Sequence, residues 1–565
     1  MIARVLPDLP AVEKTFDYLV PDAVRDQVRV GTIVRVDLHG RRVRGWVVEL
    51  PASSEVEHLK PLAKVSSAGP PPGVLDLAEW AAHRWAGRWV HLLRTASPPA
   101  NTPSFFGSSP RNDAVTCQRS EGVVGVVRVA PTADRLPLLR DLLERAEGRA
   151  LVVVPEVETA ARLAARFRRD GRKVALLAGD VSVREWDTAR RGDAVVVGTR
   201  VAVWAPVPDG WLRAIVVLDE HDEAMQSEQA PAWHARDVAI ERAQREGATC
   251  TLVSPVPTLH ALEAGELTVA AGERGGWPIL EVADRRDEDP VRAGPFSPPL
   301  VRAVEDGRRV VCVLNRLGRS RLLACAACGT LATCERCGSH VAQSDAGDLA
   351  CVACGTARPA VCLQCGGTRF KNLRMGVTRL REELETLARE PVDDAGSTRV
   401  AVGTEAILHG LPAASVDVVA FLDFDQELLA PRFRAAEQAM VLLARAARLV
   451  GPRSKGGRIL VQTRQPDHAV LRAALLGDPG VLVEDERARR RELRQPPFAA
   501  MAVVSGAGAP DWAAAAPDVL GVEVLGPADD RWLVRAGDPD ALADYLELVP
   551  RPAGRLRIEV DPPRL

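Results

Sequence analysis

The chain reads CAACG at 325–329, CERCG at 334–338, CVACG at 351–355 and CLQCGG at 362–367. These are four Cys-x-x-Cys pairs: Cys325/Cys328, Cys334/Cys337, Cys351/Cys354 and Cys362/Cys365. A glycine follows each pair, at Gly329, Gly338, Gly355 and Gly366. Two residues between cysteines make a tight turn that aims both thiolates at one point, and tetrahedral zinc takes four such soft ligands. Glycine tolerates positive φ and lets backbone N–H groups turn towards the sulfurs. Eight thiolates therefore predict two closed zinc sites, each contributing roughly 10–16 kcal/mol of apparent folding free energy. Disulfides fit less well, because only Cys117, Cys250 and Cys312 remain and the start, MIARVLPDLP, has no secretory apolar region. An iron–sulfur cluster fits less well too, since four paired knuckles suit two closed sites. A site filled by four thiolates leaves no open position for catalysis. Spacing alone permits three ways of joining the four pairs.

Working outward, 565 residues imply several domains. A hydrophobic fraction of 47% and a charged fraction of 26% are ordinary for a globular chain. No apolar run reaches transmembrane length, so no membrane partner and a cytoplasmic location are expected. The net charge of −2 excludes a globally basic nucleic-acid coat and leaves local patches. The lysines are Lys14, Lys60, Lys64, Lys173, Lys371 and Lys455.

Residues 1–105 read as a small β-rich domain. FDYLVP (16–21) and VGTIVRVDL (30–38) suggest strand and turn, and HGRRVRGWVVEL (39–50) a hairpin and strand. Arg41, Arg42 and Arg44 are expected on the turn, either solvated or contacting phosphate. VLDLAEWAAHRWAGRWVHLL (74–93) reads as a helical segment, and the Pro/Ser/Asn-rich stretch 106–120 as a linker. From 121 to 275, apolar β-branched runs alternate with helical periodicity, as expected of a parallel sheet covered on both faces. A second αβ unit starts at 276–320, is interrupted by the zinc segment 321–368 after what reads as its first strand, and resumes over 369–490. Residues 491–565 read as a small α+β domain. The fold class is thus α/β multidomain.

Two consecutive α/β sheets with zinc set into the second suggest the two RecA-like lobes of a nucleic-acid motor. The segments LVVVPE (151–156), GTR and VAVWAP (198–206), LDEHD (218–222), HARD (234–237), LNRLGRSRLLACAACG (314–329), GTEAILHG (403–410), LDFDQEL (422–428), FRAAEQ (433–438), VQTRQPDH (461–468) and RELRQPPF (491–498) occur in fixed order around the cysteine pairs. In these motifs and their order the chain resembles the primosomal protein N′ (PriA) family of replication-restart helicases over nearly its full length. The resemblance implies nested zinc pairing, with Cys325, Cys328, Cys362 and Cys365 on one ion and Cys334, Cys337, Cys351 and Cys354 on the other. It also implies that the first domain captures the 3′ end of a nascent strand in a pocket matching Phe16, Asp17, Gly40 and Lys60. An aromatic can stack on a terminal base, a carboxylate can accept from the 3′-hydroxyl, and lysine can meet phosphate. Forked or gapped DNA would be the ligand. Other primosome proteins, the replicative helicase or its loader, and single-stranded DNA-binding protein would be the partners.

The motor residues depart from the family. A P-loop needs G-x-x-x-x-G-K-[ST], yet the equivalent RVAPTADRLPLL (128–139) has neither glycine nor lysine, and no Lys lies between Lys64 and Lys173. Arg135 could offer charge but not a glycine-built nest. Asp219 and Glu220 remain of D-E-E-H. S-A-T-P reads Ser254-Pro255-Val256-Pro257. The arginine positions of the last motif fall at Leu449 and Pro452, and a one-residue shift recovers only Arg448. The aromatic-rich loop thins to Trp233 beside His234, and no winged-helix unit is evident. The expectation is a DNA-binding member of the restart primosome with zinc as cofactor and without robust ATP use. Two alternatives stand. One is an active 3′-to-5′ helicase with an unorthodox nucleotide site, motivated by Arg200, Asp219, Glu220 and Glu405. The other is a zinc-ribbon interaction scaffold, against which the basic hairpin and RARRRELR (487–494) weigh mildly.

Overall fold

The computed structural model describes residues 1–10, 12–102, 123–288, 294–314, 323–344, 347–372 and 377–563. The expected linker 106–120 lies outside the described residues, as does 315–322 of the motif entering the cysteine segment. The chain forms two compact units: Met1–Val127, Arg135–Thr268 and Arg491–Pro562 in one, and Arg128–Asp134, Val269–Arg490 and Pro563–Leu565 in the other.

In the first unit, β1 (Ile2–Pro7), β2 (Phe16–Leu19), β3 (Ile33–Leu38), β4 (Arg41–Glu49) and β5 (Lys64–Ser67) form an antiparallel sheet in the order β2-β1-β4-β3-β5. Residues 60–63 join its two edges. Leu19 donates to the Lys60 carbonyl, Leu62 to that of Leu19, and Ala63 to that of Arg35. The sheet thereby closes on itself around Val5, Tyr18, Val34, Val36, Val47 and Leu62. The alternate positions Leu6, Ile33 and Trp46 face a second core shared with α1 (Pro72–Arg84) and α2 (Trp89–Ala96), which is the period-2 division of a strand between two faces. Two expectations change here. The 74–93 segment is two helices, because Ala86 takes φ +46° and a Cβ on Gly87 would come within 2.5 Å of Pro231. Arg41, Arg42 and Arg44 lie on β4 rather than on the turn, which is His39–Gly40.

The larger sheet contains β6 (Val124–Arg128), β7 (Ala150–Val153), β8 (Val174–Leu177), β9 (Val195–Gly198), β10 (Ala214–Leu218), β11 (Thr249–Ser254) and β12 (Glu266–Val269), in the order β12-β6-β11-β10-β7-β9-β8. The helices α3 (Leu136–Arg145), α4 (Val157–Arg169), α5 (Val183–Arg190), α6 (Ala235–Glu246) and α7 (Leu259–Ala264) connect these strands. Strands β7, β9 and β10 are buried throughout and pair in parallel, matching their unbroken apolar runs.

The second unit holds β13 (Ile279–Asp284), α8 (Pro298–Glu305), β14 (Val310–Val313) and the cysteine segment with β15 (Leu323–Cys325), β16 (Val341–Gln343), β17 (Leu349–Cys351), β18 (Ala357–Arg358) and β19 (Phe370–Asn372). It continues through α9 (Val377–Ala388), β20 (Val400–Gly403), β21 (Val418–Phe421), α10 (Asp425–Leu428), α11 (Ala435–Val450), β22 (Arg458–Thr463), α12 (Ala469–Leu476) and α13 (Val483–Glu492). Its parallel sheet runs β13-β22-β21-β14-β20. The cysteine segment therefore follows the second strand of this sheet, not the first. Strand β13 is an edge strand with no fully buried residue, so its apolar signal is weak.

The final part of the first unit, β23 (Ala500–Ser505), α14 (Ala509–Ala515), β24 (Glu523–Ala528), β25 (Arg531–Ala536), α15 (Pro539–Leu548) and β26 (Arg557–Val560), is an antiparallel β24-β25-β23-β26 sheet over Trp512, Leu542 and Tyr545. Among the described residues no helix is long and apolar enough to cross a membrane.

Candidate functional site

The cysteine segment folds as one hairpin inside another. Antiparallel pairing of β15 with β19 sets Cys325 opposite Phe370 and so brings the first and last knuckles together. Pairing of β16 with β17 sets Val341 opposite Cys351 and joins the middle two. Two groups result, Cys325, Cys328, Cys362 and Cys365, and Cys334, Cys337, Cys351 and Cys354, with each set of sulfurs within 4.8 Å of one another. Cys325–Cys365 and Cys328–Cys362 are 3.6 Å apart, and Cys334–Cys354 and Cys337–Cys351 are 3.5 Å apart. Tetrahedral Zn–S bonds of about 2.3 Å would span sulfurs by about 3.8 Å, so the donor sets fit a metal ion. Gly329, Gly338, Gly355 and Gly366 all take φ between +71° and +74°. Their own N–H groups close on the carbonyls of Cys325, Cys334, Cys351 and Cys362, while the amides of Ala327 and Cys354 reach sulfur. The second site is tied to α10: the Leu429 carbonyl lies 2.8 Å from His340 Nδ1 and accepts from the His340 amide and the Ser339 hydroxyl.

The β6–α3 connection, where a phosphate cradle would lie, presents Arg135. Arg135 Nη1 donates to Asp219 Oδ2 at the end of β10, with side-chain exposures of 8% and 5%. Glu220 is fully buried. Its Oε1 accepts from the Thr258 amide (2.8 Å), and its Oε2 from the Thr258 hydroxyl (2.8 Å) and Arg236 Nη1 (3.4 Å). Arg236 also forks onto Asp237. Burial alone would raise the Asp237 carboxyl, but the charges of Arg236 and His234 outweigh it and hold it at about 2. His221 Nδ1 is 2.6 Å from the Ser254 hydroxyl, and Arg200 donates to the Ala224 carbonyl. Asp219, the carboxylate that would meet magnesium in a nucleotide motor, faces the Arg135 guanidinium. Leu449 is buried in α11. Trp233 is buried edge-on against Trp204, with ring centroids 5.4 Å apart, so it presents no face to a base.

At the N-terminal domain, Phe16 is half-buried against the small core. Asp17 lies opposite Arg4 in the β1–β2 register. Arg4 Nε and Nη2 donate to its carboxylate at 2.9 and 3.3 Å, and the Ser54 hydroxyl donates to Oδ2 at 2.7 Å. The Arg4 bond holds the Asp17 carboxyl below the usual carboxylate range, against the opposing effect of burial. Gly40 (φ +77°, with open space where a Cβ would stand) donates to Asp37 Oδ1 at 3.2 Å, and Lys60 Nζ lies 3.9 Å from the same oxygen. Gly40 and Lys60 thus meet at Asp37, whereas Asp17 is engaged by Arg4 and Ser54. Neither Arg4 nor Ser54 stood out in the sequence, because only the strand register and the path of the 50–60 loop connect them to Asp17. Arg41 and Arg42 are exposed, but Arg44 is half-buried with its guanidinium 5.4 Å from the Trp46 ring centroid. In the 487–494 stretch, Arg490 is fully buried between Glu486 and Glu437 and over Phe433, which makes it a structural residue.

A family model described as the PriA 3′ DNA-binding domain (3′BD) matches residues 4–98. The replication restart protein PriA of Bacillus subtilis is 28% identical over 400 residues, 63% of this chain and 49% of that protein. That of Haemophilus influenzae is 27% identical over 420 residues, 67% of this chain and 57% of that protein. This chain therefore spans about half the length of those two relatives. The Mycobacterium tuberculosis protein named "Probable replication restart protein PriA" is 28% identical over 605 residues, 92% of this chain and 90% of that protein. Among solved structures, RecG bound to a three-way DNA junction matches 64% of this chain and 43% of its own, at 11% identity and a TM-score of 0.35. The first domain thus matches the PriA 3′ DNA-binding domain, and the chain is similar to proteins named replication restart protein PriA along most of its length.

Proposed function

We propose that this chain is a replication-restart DNA-binding protein that recognises forked or gapped DNA through the 3′-end pocket of its first domain and runs no robust ATP-driven motor. The observation that carries the second half is the buried Arg135–Asp219 pair, with Glu220 tied to Thr258 and Arg236. A nucleotide motor needs its acidic pair free to hold magnesium and orient water, and a P-loop to cradle phosphates. The first half is supported by the 3′ DNA-binding domain match over residues 4–98. Phe16 offers a stacking face, Asp17 an acceptor, and Gly40, Lys60, Arg41 and Arg42 an exposed backbone-contacting side. The metal is zinc, two ions per chain, and its role is structural, since both sites are closed by thiolate. Partner contacts with other primosome proteins, the replicative helicase or its loader, and single-stranded DNA-binding protein follow from the PriA likeness.

The experiment is equilibrium binding of the zinc-loaded chain to forks whose nascent strand ends in a free or a phosphorylated 3′ position. Tighter binding to the free end, lost in Asp17→Ala and weakened in Lys60→Ala, supports the pocket. Equal affinity for both ends removes it.

A further inference from the structure

The carboxylate of Asp17 already has a hydroxyl on it. Ser54 Oγ lies 2.7 Å from Asp17 Oδ2. The same Oγ accepts from the Val56 amide at 3.2 Å, which directs the single serine hydrogen to the carboxylate. Arg4 clamps the other side: Nε sits 2.9 Å from Oδ1, while Nη1 bonds Glu49 Oε2 at 2.5 Å, so Asp17, Arg4 and Glu49 form a row across β2, β1 and β4. Only 9% of the Asp17 side chain is exposed. The covering loop leaves β4 after Glu49 and is pinned at its far end by the Lys60 carbonyl, which accepts from Leu19 on β2. It therefore straddles the strand that carries Phe16 and Asp17.

A deoxyribose 3′-hydroxyl and a serine hydroxyl are the same kind of donor. Arg4 takes a site on each oxygen and Ser54 a second on Oδ2, and with 9% of the side chain exposed an incoming hydroxyl meets Ser54 and its loop on the way to the carboxylate. We infer that Ser54 is a built-in surrogate for a terminal 3′-hydroxyl, which occupies Asp17 when no strand end is bound and is displaced when one arrives. This rests on the pocket reading above. Ser54 thereby sets the threshold of end recognition. It keeps the buried carboxylate satisfied in the free protein, and the arriving end must compete with it.

The sign separates this from a positioning role. A serine that merely orients Asp17 would, on removal, weaken binding; a surrogate would, on removal, strengthen it. The test is binding of the full zinc-loaded chain, wild type, Ser54→Ala and Ser54→Thr, to a primer–template with a recessed 3′-hydroxyl and to the same DNA with a 3′-phosphate. Loss of one competing hydrogen bond predicts about two- to tenfold tighter binding of Ser54→Ala to the hydroxyl end. The phosphate end, which has no hydroxyl to donate, should be unaffected, and Ser54→Thr should bind like wild type. Weaker or unchanged binding of Ser54→Ala to the hydroxyl end, with wild type still telling the two ends apart, overturns the surrogate and leaves the pocket standing. Wild type binding both ends alike removes the pocket and the surrogate with it.

Discussion

Arg135 Nη1 donates to Asp219 Oδ2, and each side chain is more than nine-tenths buried. The pair links the connection before α3 with the end of β10, the two places that carry phosphate and metal in a nucleotide motor. Breaking one partner of a buried pair leaves an uncompensated charge and costs about 3–5 kcal/mol. Arg135→Met should therefore lower the unfolding midpoint of the first unit markedly, while Arg135→Met with Asp219→Asn should recover most of the loss. A single variant as stable as wild type in thermal or urea unfolding would mean that the pair contributes little.

Removing the metal should unfold one region and spare another. Three donors from Ser339 and His340 converge on the Leu429 carbonyl, so the second cysteine cluster holds the end of α10. Chelation should release two zinc ions per chain. Amide exchange should accelerate across 323–344 and 347–371 and at 428–430, while residues 1–100 keep their protection. A metal-free chain with unchanged exchange at 428–430 would break this link.

Stability should fall in mild acid because of His468. The imidazole caps α12 by accepting from the Val470 amide. Burial, reinforced by the positive charges of Arg489 and Arg472, pushes it down to about 4. The unfolded side chain titrates near 6.5. Between these values the unfolded state binds a proton that the folded state refuses, so the contribution is complete above about pH 6.5 and is lost as pH falls towards 4. The loss reaches up to about 3 kcal/mol. His468→Asn keeps a capping acceptor and should flatten this part of the pH profile; parallel profiles for the two proteins would contradict it.

The three arginines of β4 should separate by function. Arg41 and Arg42 are exposed, so replacing both with Ala should weaken DNA binding alike on all sequences and reduce the salt slope by about 2. Arg44 is half-buried against Trp46, so Arg44→Ala should cost about 1 kcal/mol of stability instead. Salt titrations and unfolding curves read the two effects separately.

These particulars show what was legible in the sequence. Runs such as ALVV at β7 and AIVVL at β10 declare buried parallel strands, because both faces are covered and every residue is apolar. The knuckles declare metal through local spacing. Edge strand β13 carries no such run, and the break between α1 and α2 depends on the close approach of Gly87 to Pro231, 144 positions away in the chain. The site behaved likewise. The missing P-loop could be read as absent residues, but Arg135 on Asp219, Arg490 between Glu486 and Glu437, and Ser54 on Asp17 are tertiary pairings that no local pattern encodes.

The most direct test of the central claim is ATP hydrolysis by the zinc-loaded chain in the presence of forked DNA with an annealed nascent strand, measured beside fork binding. Tight fork binding with no ATP binding and no turnover is the predicted result. Turnover that rises with DNA would contradict it, because another segment would then have to cradle the phosphates and the Arg135–Asp219 pair would have to open.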